Sequence, residues 1–298
     1  MPFRALPSYF RGYHESESTG VDSSLVNHLE LVKHINWKEL YESIPVDNEQ
    51  YNYKLVIFAR HGQGYHNAAI ERYGMPEWDS KWALLDGDEY GNWLDSRLTN
   101  VGREQVRTTG STILSPIVND LGMLPHKFFS SPMRRCLETF VESWNVCLRE
   151  NSDIHCLTDV NDIEVNIYEN IREILGRHPC DKRVNHSKAI KEYQPSKLPI
   201  GITVNWVYEP EYPEEDKLWT PTREKISDMD KRILNGLVQI FQQTTSADRF
   251  ISVTCHSGVI NSILRNIKHP RVDNLQTGNV VIAVVEIDKQ KLGQHPLQ

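Results

Sequence analysis

Residues 55–60, Leu-Val-Ile-Phe-Ala-Arg, run through four large apolar side chains without a polar break, and His61-Gly62-Gln63-Gly64 follow directly. The run is too short for a helix and is bounded by polar residues and glycines, which marks it as a parallel strand buried on both faces. A short helical segment, Asn67 to Tyr73, comes next. Strand, glycine-bearing turn and helix form the grammar of open α/β sheets, whose ligands bind at the carboxyl ends of the strands. Arg60 and His61 therefore stand where a ligand lands.

The same grammar returns late in the chain. Phe250 to Cys255 is a second buried strand, His256-Ser257-Gly258 stands at its carboxyl end, and Val259, Ile260, Ile263, Leu264 and Ile267 continue at helical spacing. Between them, Phe128 to Ser131 reads as a short strand. Ser131-Pro132 predicts a helix start, with the hydroxyl as N-cap and proline at the first helical position. Met133, Cys136, Phe140, Trp144 and Cys147 carry one face of that helix. Arg135 lies in its first turn, off the apolar stripe, where free backbone N–H groups already favour an anion. Val280 to Ile287 closes the sheet. The expected fold is a three-layer α/β/α sandwich with a mostly parallel central sheet and a cap-like insertion, in one domain across residues 1–298.

Other stretches constrain less. Residues 1–50 form an N-terminal extension wrapping a sheet edge, with a short helix signalled by Trp37, Leu40, Tyr41 and Ile44. Residues 74–94, with Trp78, Trp82 and Trp93, predict a loop with short helical pieces above the strand ends. Thr99 is a natural N-cap for a helix whose small-to-apolar face is Gly102, Val106, Gly110, Ile113 and Ile117, ending at Leu121-Gly122. A third strand is expected from Val165 to Asn170. Residues 176–221, rich in proline, tyrosine and acids, lack periodicity and predict the cap insertion. Ile226, Met229, Ile233, Leu237 and Ile240 mark an amphipathic helix behind Pro221.

Composition narrows the function classes. The 298-residue chain has a net charge of −7 and no long run of like charge, so no nucleic-acid partner is expected. An acidic protein that binds an anion needs a local basic pocket, and Arg177-His178-Pro179-Cys180-Asp181-Lys182-Arg183 is an unusually cationic stretch here. No window approaches a membrane span, and the N-terminus has no apolar signal core. The five scattered cysteines imply reduced thiols, so the cytoplasm is the expected compartment, with the nucleus also open. No Cys/His spacing suggests zinc. The sequon Asn185-His186-Ser187 is then accidental. Oligomeric state is unreadable.

Arg60-His61-Gly62 at the end of one strand, Ser131-x-x-x-Arg135-x-x-Glu138-Thr139 at a helix start, and His256 at the end of a late strand resemble the histidine phosphatase superfamily, in its phosphoglycerate-mutase-like group. Asn67, seven residues after Arg60, and the segment Asp95-x-x-Leu98-Thr99-x-x-Gly102-x-x-Gln105 match further family patterns, over about residues 54–286. Arg172-Glu173-x-x-Gly176-x-His178-x-Cys180-Asp181-Lys182-Arg183 is similar to a segment of fungal and plant phosphomutase-like proteins. The resemblance implies a phosphate clamp of Arg60, Arg135 and His256, a phosphate-accepting His61, and Glu173 as proton donor, with Glu164 and Glu169 as nearby competitors. Asn67 joins the substrate-binding set by the same match. Arg177, Lys182 and Arg183 are candidates for a substrate carboxylate. Gln63 stands where many mutases have glutamate, and Pro132-Met133 replaces a commoner acidic-apolar pair.

The expected activity is metal-independent hydrolysis of small phosphorylated metabolites, without a cofactor, since arginines and histidines supply the charge that phosphoryl transfer needs. Imidazole is a workable nucleophile because a fraction is neutral near its reference pKa of about 6.5. His61 would need its other nitrogen held by a carbonyl, with the Gly62–Gly64 loop the expected source. A phosphoglycerate mutase is the alternative enzyme. A non-catalytic scaffold, supported only by exposed tryptophans in 78–93, is the alternative of another class.

Overall fold

Side chains alternate across the strand Tyr51–Arg60 as its pattern requires. Val56 and Phe58 enter the core on one face of the sheet, Leu55 and Ile57 the core on the other, and all four are buried. Truncating Phe58 to alanine would cost about 3–5 kcal/mol at such a site. The structure is a computed structural model that describes residues 1–13, 28–32, 36–153 and 160–295. Cys156 lies outside the described residues; Cys136, Cys147, Cys180 and Cys255 are buried free thiols.

Ten strands occur among the described residues: β1 (Phe3–Ala5), β2 (Tyr51–Arg60), β3 (Gly87–Asp88), β4 (Gly91–Asn92), β5 (Lys127–Ser130), β6 (Asp162–Ile167), β7 (Ser196–Lys197), β8 (Thr203–Tyr208), β9 (Phe250–Cys255) and β10 (Val280–Asp288). Eight form one sheet in the order β1-β10-β2-β9-β5-β6-β8-β7, and β3 pairs with β4 alone. The run from β2 to β8 is parallel; β10, β1 and β7 are antiparallel additions at the two sides. Helices Ile226–Gln242 and Ser257–Asn266 cover one face, and Trp37–Ser43, Ser115–Leu121 and Arg134–Glu150 the other. The result is a three-layer α/β/α sheet protein.

Register brings the site together. Arg60 pairs with Cys255 and Ser130 with Thr254, so β2, β9 and β5 end at one level. Beyond the strands the backbone stays tied: His61 N–H donates to the Cys255 carbonyl at 3.0 Å and Ser131 N–H to that of Thr254 at 3.0 Å.

Several expectations change. β8 lies inside the stretch expected to be a cap, yet it extends the central sheet beside β6; its apolar alternation was masked by the proline- and acid-rich sequence around it. The helix predicted from Asn67 to Tyr73 runs from Tyr65 to Ser80, broken at Gly74, where φ is +77°. Trp78 and Trp93 are buried, edge to face at 5.5 Å, and Trp82 stacks on Tyr73 at 4.2 Å. They pack the segment down rather than offer an exposed aromatic surface. Thr99 does cap its helix, accepting from Gly102 N–H, and Gly122 ends the helical run at a φ of +64°.

Candidate active site

The loop after β2 is held from outside. Gly62 N–H donates to Thr139 Oγ1 at 3.1 Å, Gln63 N–H to Gln105 Oε1 at 2.9 Å, and Gly64 N–H to Asn67 Oδ1 at 2.9 Å. The helix after Thr99 presses so close that a Cβ on Gly62 would lie 2.4 Å from the Gly102 carbonyl oxygen. Thr99, Gly102, Gln105 and Thr139 thus shape the loop, which explains why these residue types stand at these spacings. Asn67, expected at the substrate, spends its amide oxygen on this frame.

His61 is 2% exposed, and its Nδ1 lies 2.7 Å from the Gly62 carbonyl oxygen. A carbonyl only accepts, so Nδ1 carries the proton and Nε2 the lone pair. Nε2 has no protein partner among the described residues. Burial, with the Arg135 and Arg60 charges, pushes the His61 pKa well below 6.5, which keeps that lone pair free.

Arg135 is fully buried rather than turned off the core. Its Nε–H donates to His256 Nδ1 at 3.2 Å, Nη1 to the Cys180 carbonyl at 2.7 Å, and Nη2 to Asp181 at 3.3 Å. Because an arginine only donates, His256 Nδ1 is the accepting nitrogen, and Nε2–H faces Ser131 Oγ at 2.8 Å. Ser131 was expected to cap the next helix. Instead that helix begins at Arg134 with Met133 as N-cap, and the Ser131 hydroxyl orients His256. The His61 and His256 rings meet at 5.1 Å, nearly edge to face. Burial and Arg135 depress the His256 pKa as well. Arg60 gives one N–H to the Leu275 carbonyl, while its buried Nε has no partner.

The Glu173 carboxylate lies against the first turn of the helix Ser257–Asn266 that follows His256. Its carboxylate accepts from Gly258 N–H at 3.1 Å and from its own neighbour Ile174 N–H at 2.9 Å. Burial and Asp181 raise its pKa, and these N–H groups and Arg135 only partly offset them. Of the competitors, Glu164 is exposed on β6, and Glu169 is consumed by Arg172 and Arg183 at 2.7 Å each.

The cationic stretch divides. Arg183, a candidate for substrate, is 4% exposed and donates to Glu169 and to the carbonyls of Val184, Pro213, Glu214 and Glu215. It ties the Pro213–Glu215 turn to the sheet and has nothing left for a ligand. Lys182 is exposed, its Nζ 5.0 Å above the Trp219 ring, and Arg177 is exposed at a φ of +61°. Reading the sequence missed Arg223, which shares Asp181 with Arg135, at 2.7 Å, from a segment without periodicity. It also missed His66, although that residue directly precedes Asn67.

One group among the described residues, His178, Cys180 and Asp181, has ligand atoms within 4.8 Å of one another. It suits a cation poorly. Asp181 lies between two guanidiniums, and burial pushes the Cys180 thiol well above its ordinary pKa. No described helix is long and apolar enough to cross a membrane.

A parallel sheet that gathers two guanidiniums, two imidazoles and a carboxyl at one edge can hold a small anion through charge-assisted donors. Comparison with known proteins gives the family. The chain is 56% identical over 288 residues to the Saccharomyces cerevisiae protein named "Probable phosphoglycerate mutase PMU1", covering 96% of this chain and 97% of that one. It is 34% identical to an Arthroderma benhamiae protein of the same general name, over 79% of this chain and 64% of that one. With "Phosphomutase-like protein 3" of Candida albicans it shares 30% over 88% and 73%. No family model matches. Among solved structures, phosphoglycerate mutase from Bacillus anthracis aligns at a TM-score of 0.44 and 13% identity, over 79% of this chain and 89% of that one. The chain belongs to the histidine phosphatase superfamily, in its phosphoglycerate-mutase-like group.

Proposed function

We propose that the protein is a metal-independent phosphatase of small phosphomonoesters that works through a phosphohistidine on His61. The observation that carries this reading is the His61 ring, whose Nδ1–H is fixed on the Gly62 carbonyl at 2.7 Å while Nε2 stays unpartnered among Arg60, Arg135 and His256. In the first step the Nε2 lone pair attacks phosphorus and the ester P–O bond breaks. The leaving oxygen takes its proton from the Glu173 carboxylic acid. In the second, water attacks the phosphoryl group and gives a proton to the Glu173 carboxylate, and the P–N bond electrons return to His61. Arg60 and Arg135 hold the equatorial oxygens through the reaction; losing one such donor set typically costs about 10²–10³ in rate.

The second reading, a phosphoglycerate mutase, draws on the printed names of the relatives. A mutase must keep water out and hold a substrate carboxylate. Arg183 is engaged within the protein, which leaves Arg177 and Lys182 for that task, and both are exposed. Gln63 is also fixed, accepting from Thr99 Oγ1 at 2.7 Å and donating to Glu71 at 2.8 Å. The scaffold reading loses its support with the burial of Trp78 and Trp93. The test is phosphate release across a panel of phosphorylated metabolites, run beside isomerisation of a phosphoglycerate. Phosphate release from several compounds supports the phosphatase; phosphoglycerate isomerisation without release would replace it by the mutase.

A further inference from the structure

His66 is a third imidazole in this pocket with no part in the chemistry above. It is 8% exposed and its ring lies 5.6 Å from that of His61. Its Nδ1 is fully buried without a hydrogen-bond partner, and Nε2 also has no protein partner among the described residues. The ring is placed on purpose by its surroundings. Its backbone N–H faces Ser96 Oγ at 3.4 Å, and a Cβ on Gly64 would lie 2.7 Å from Nδ1. Only a glycine at position 64 leaves room for the ring beside the His61 loop. The charges of Arg135 and Arg60, which depress His61, act on His66 too, and with burial they keep its ring neutral.

A neutral imidazole has one N–H and one lone pair. Burying an N–H without a partner costs more than burying a lone pair, so the proton belongs on Nε2 and the sealed Nδ1 keeps the lone pair. Nε2–H is then a donor, uncharged and unspent, on the flank of the nucleophile.

We infer that His66 is a further phosphate-binding residue, donating its Nε2–H to an oxygen of the phosphoryl group on its way to and from His61. The inference rests on the phosphohistidine reading of this site and adds to it a neutral donor. That donor adds a hydrogen bond in the pocket without adding to the charge that already keeps His61 and His256 deprotonated. It touches the transferred group alone, so its effect is the same for every ester.

The test uses the full chain with His66→Phe, which keeps a ring and removes the donor, and His66→Gln, which restores an N–H. Binding of orthovanadate and inorganic phosphate is measured by calorimetry, beside turnover of an aryl and an alkyl phosphate. His66→Phe should weaken vanadate binding and lower kcat/KM for both esters by about ten- to hundred-fold, while His66→Gln recovers most of the loss. Vanadate affinity and turnover within twofold of wild type in His66→Phe would overturn the inference, as would equal losses in both variants. If wild type binds vanadate but turns over no ester, the phosphatase reading fails, and the His66 inference still stands or falls on the binding loss. A wild type that binds neither anion overturns both. Should His66→Phe not fold, nitrogen-detected NMR of the wild type decides. Vanadate should slow exchange of the His66 Nε2 proton, and an unchanged signal would refute the assignment.

Discussion

Gly258 leaves the space that the Glu173 carboxylate fills: the Gly258 N–H donates to one carboxylate oxygen at 3.1 Å, and a Cβ at Gly258 would lie 2.1 Å from the other. The Glu173 carboxylate is therefore positioned by the absence of a side chain at Gly258, in the helix that follows β9. Glu173→Gln should slow hydrolysis of alkyl phosphates by about 10²–10⁴ while sparing aryl phosphates, whose leaving oxygen needs little protonation. Gly258→Ala should reproduce that leaving-group signature by displacing the carboxylate. Equal slowing of both ester types in Glu173→Gln would reduce Glu173 to a wall of the pocket.

The two shifted pKa values work in opposite directions. Glu173 is raised, so its acid form persists to higher pH than an ordinary glutamate, and the first step on alkyl phosphates should fall as pH rises through that raised pKa. His61 is lowered well below 6.5, so the nucleophile stays deprotonated and should set no acid limb near 6.5. Burst rates with an aryl phosphate, followed from mildly acid to neutral pH, check this. An acid limb centred at 6.5 or above would contradict the neutral, buried His61.

Arg183 is expected to act on stability. Removing its donors leaves the carbonyls of Val184, Pro213, Glu214 and Glu215 without their partner, while Glu169 keeps Arg172, and each buried group left unsatisfied costs about 1–3 kcal/mol. Arg183→Ala should lower the unfolding free energy by at least that amount and leave KM for small esters near its wild-type value at temperatures where the variant is folded. A large KM rise with unchanged stability would return Arg183 to the substrate.

Metal removal makes a separate check. Activity should survive excess chelator, because the donors around His61 are guanidinium and imidazole groups rather than a carboxylate set. Complete loss restored by a divalent cation would point to the His178, Cys180 and Asp181 group instead.

Much of this is legible in the sequence, for a physical reason. β2 and β9 are apolar on both faces, and a His-Gly-bearing turn ends each, so period and punctuation located Arg60, His61 and His256 at one sheet edge. Thr99 announced its helix because an N-cap is a local device. Misreadings came where tertiary partners outweigh local pattern. Ser131 has the signature of a cap but is taken by His256 across the sheet. Arg183 looks like a binding cation until Glu169 and the carbonyls of Pro213 to Glu215, far along the chain, are folded around it. β8 hides in a stretch whose composition signals a loop, and only pairing with β6 makes it a strand.

The most direct test is to trap the intermediate. Mixing the protein with a radiolabelled phosphomonoester and quenching in alkali within the first turnover should leave an acid-labile, base-stable phosphoryl group on a peptide containing His61. His61→Ala should yield none and lose steady-state turnover while its circular dichroism and unfolding midpoint stay near wild type. Label retained in His61→Ala, or turnover by that variant near the wild-type rate, would contradict the account.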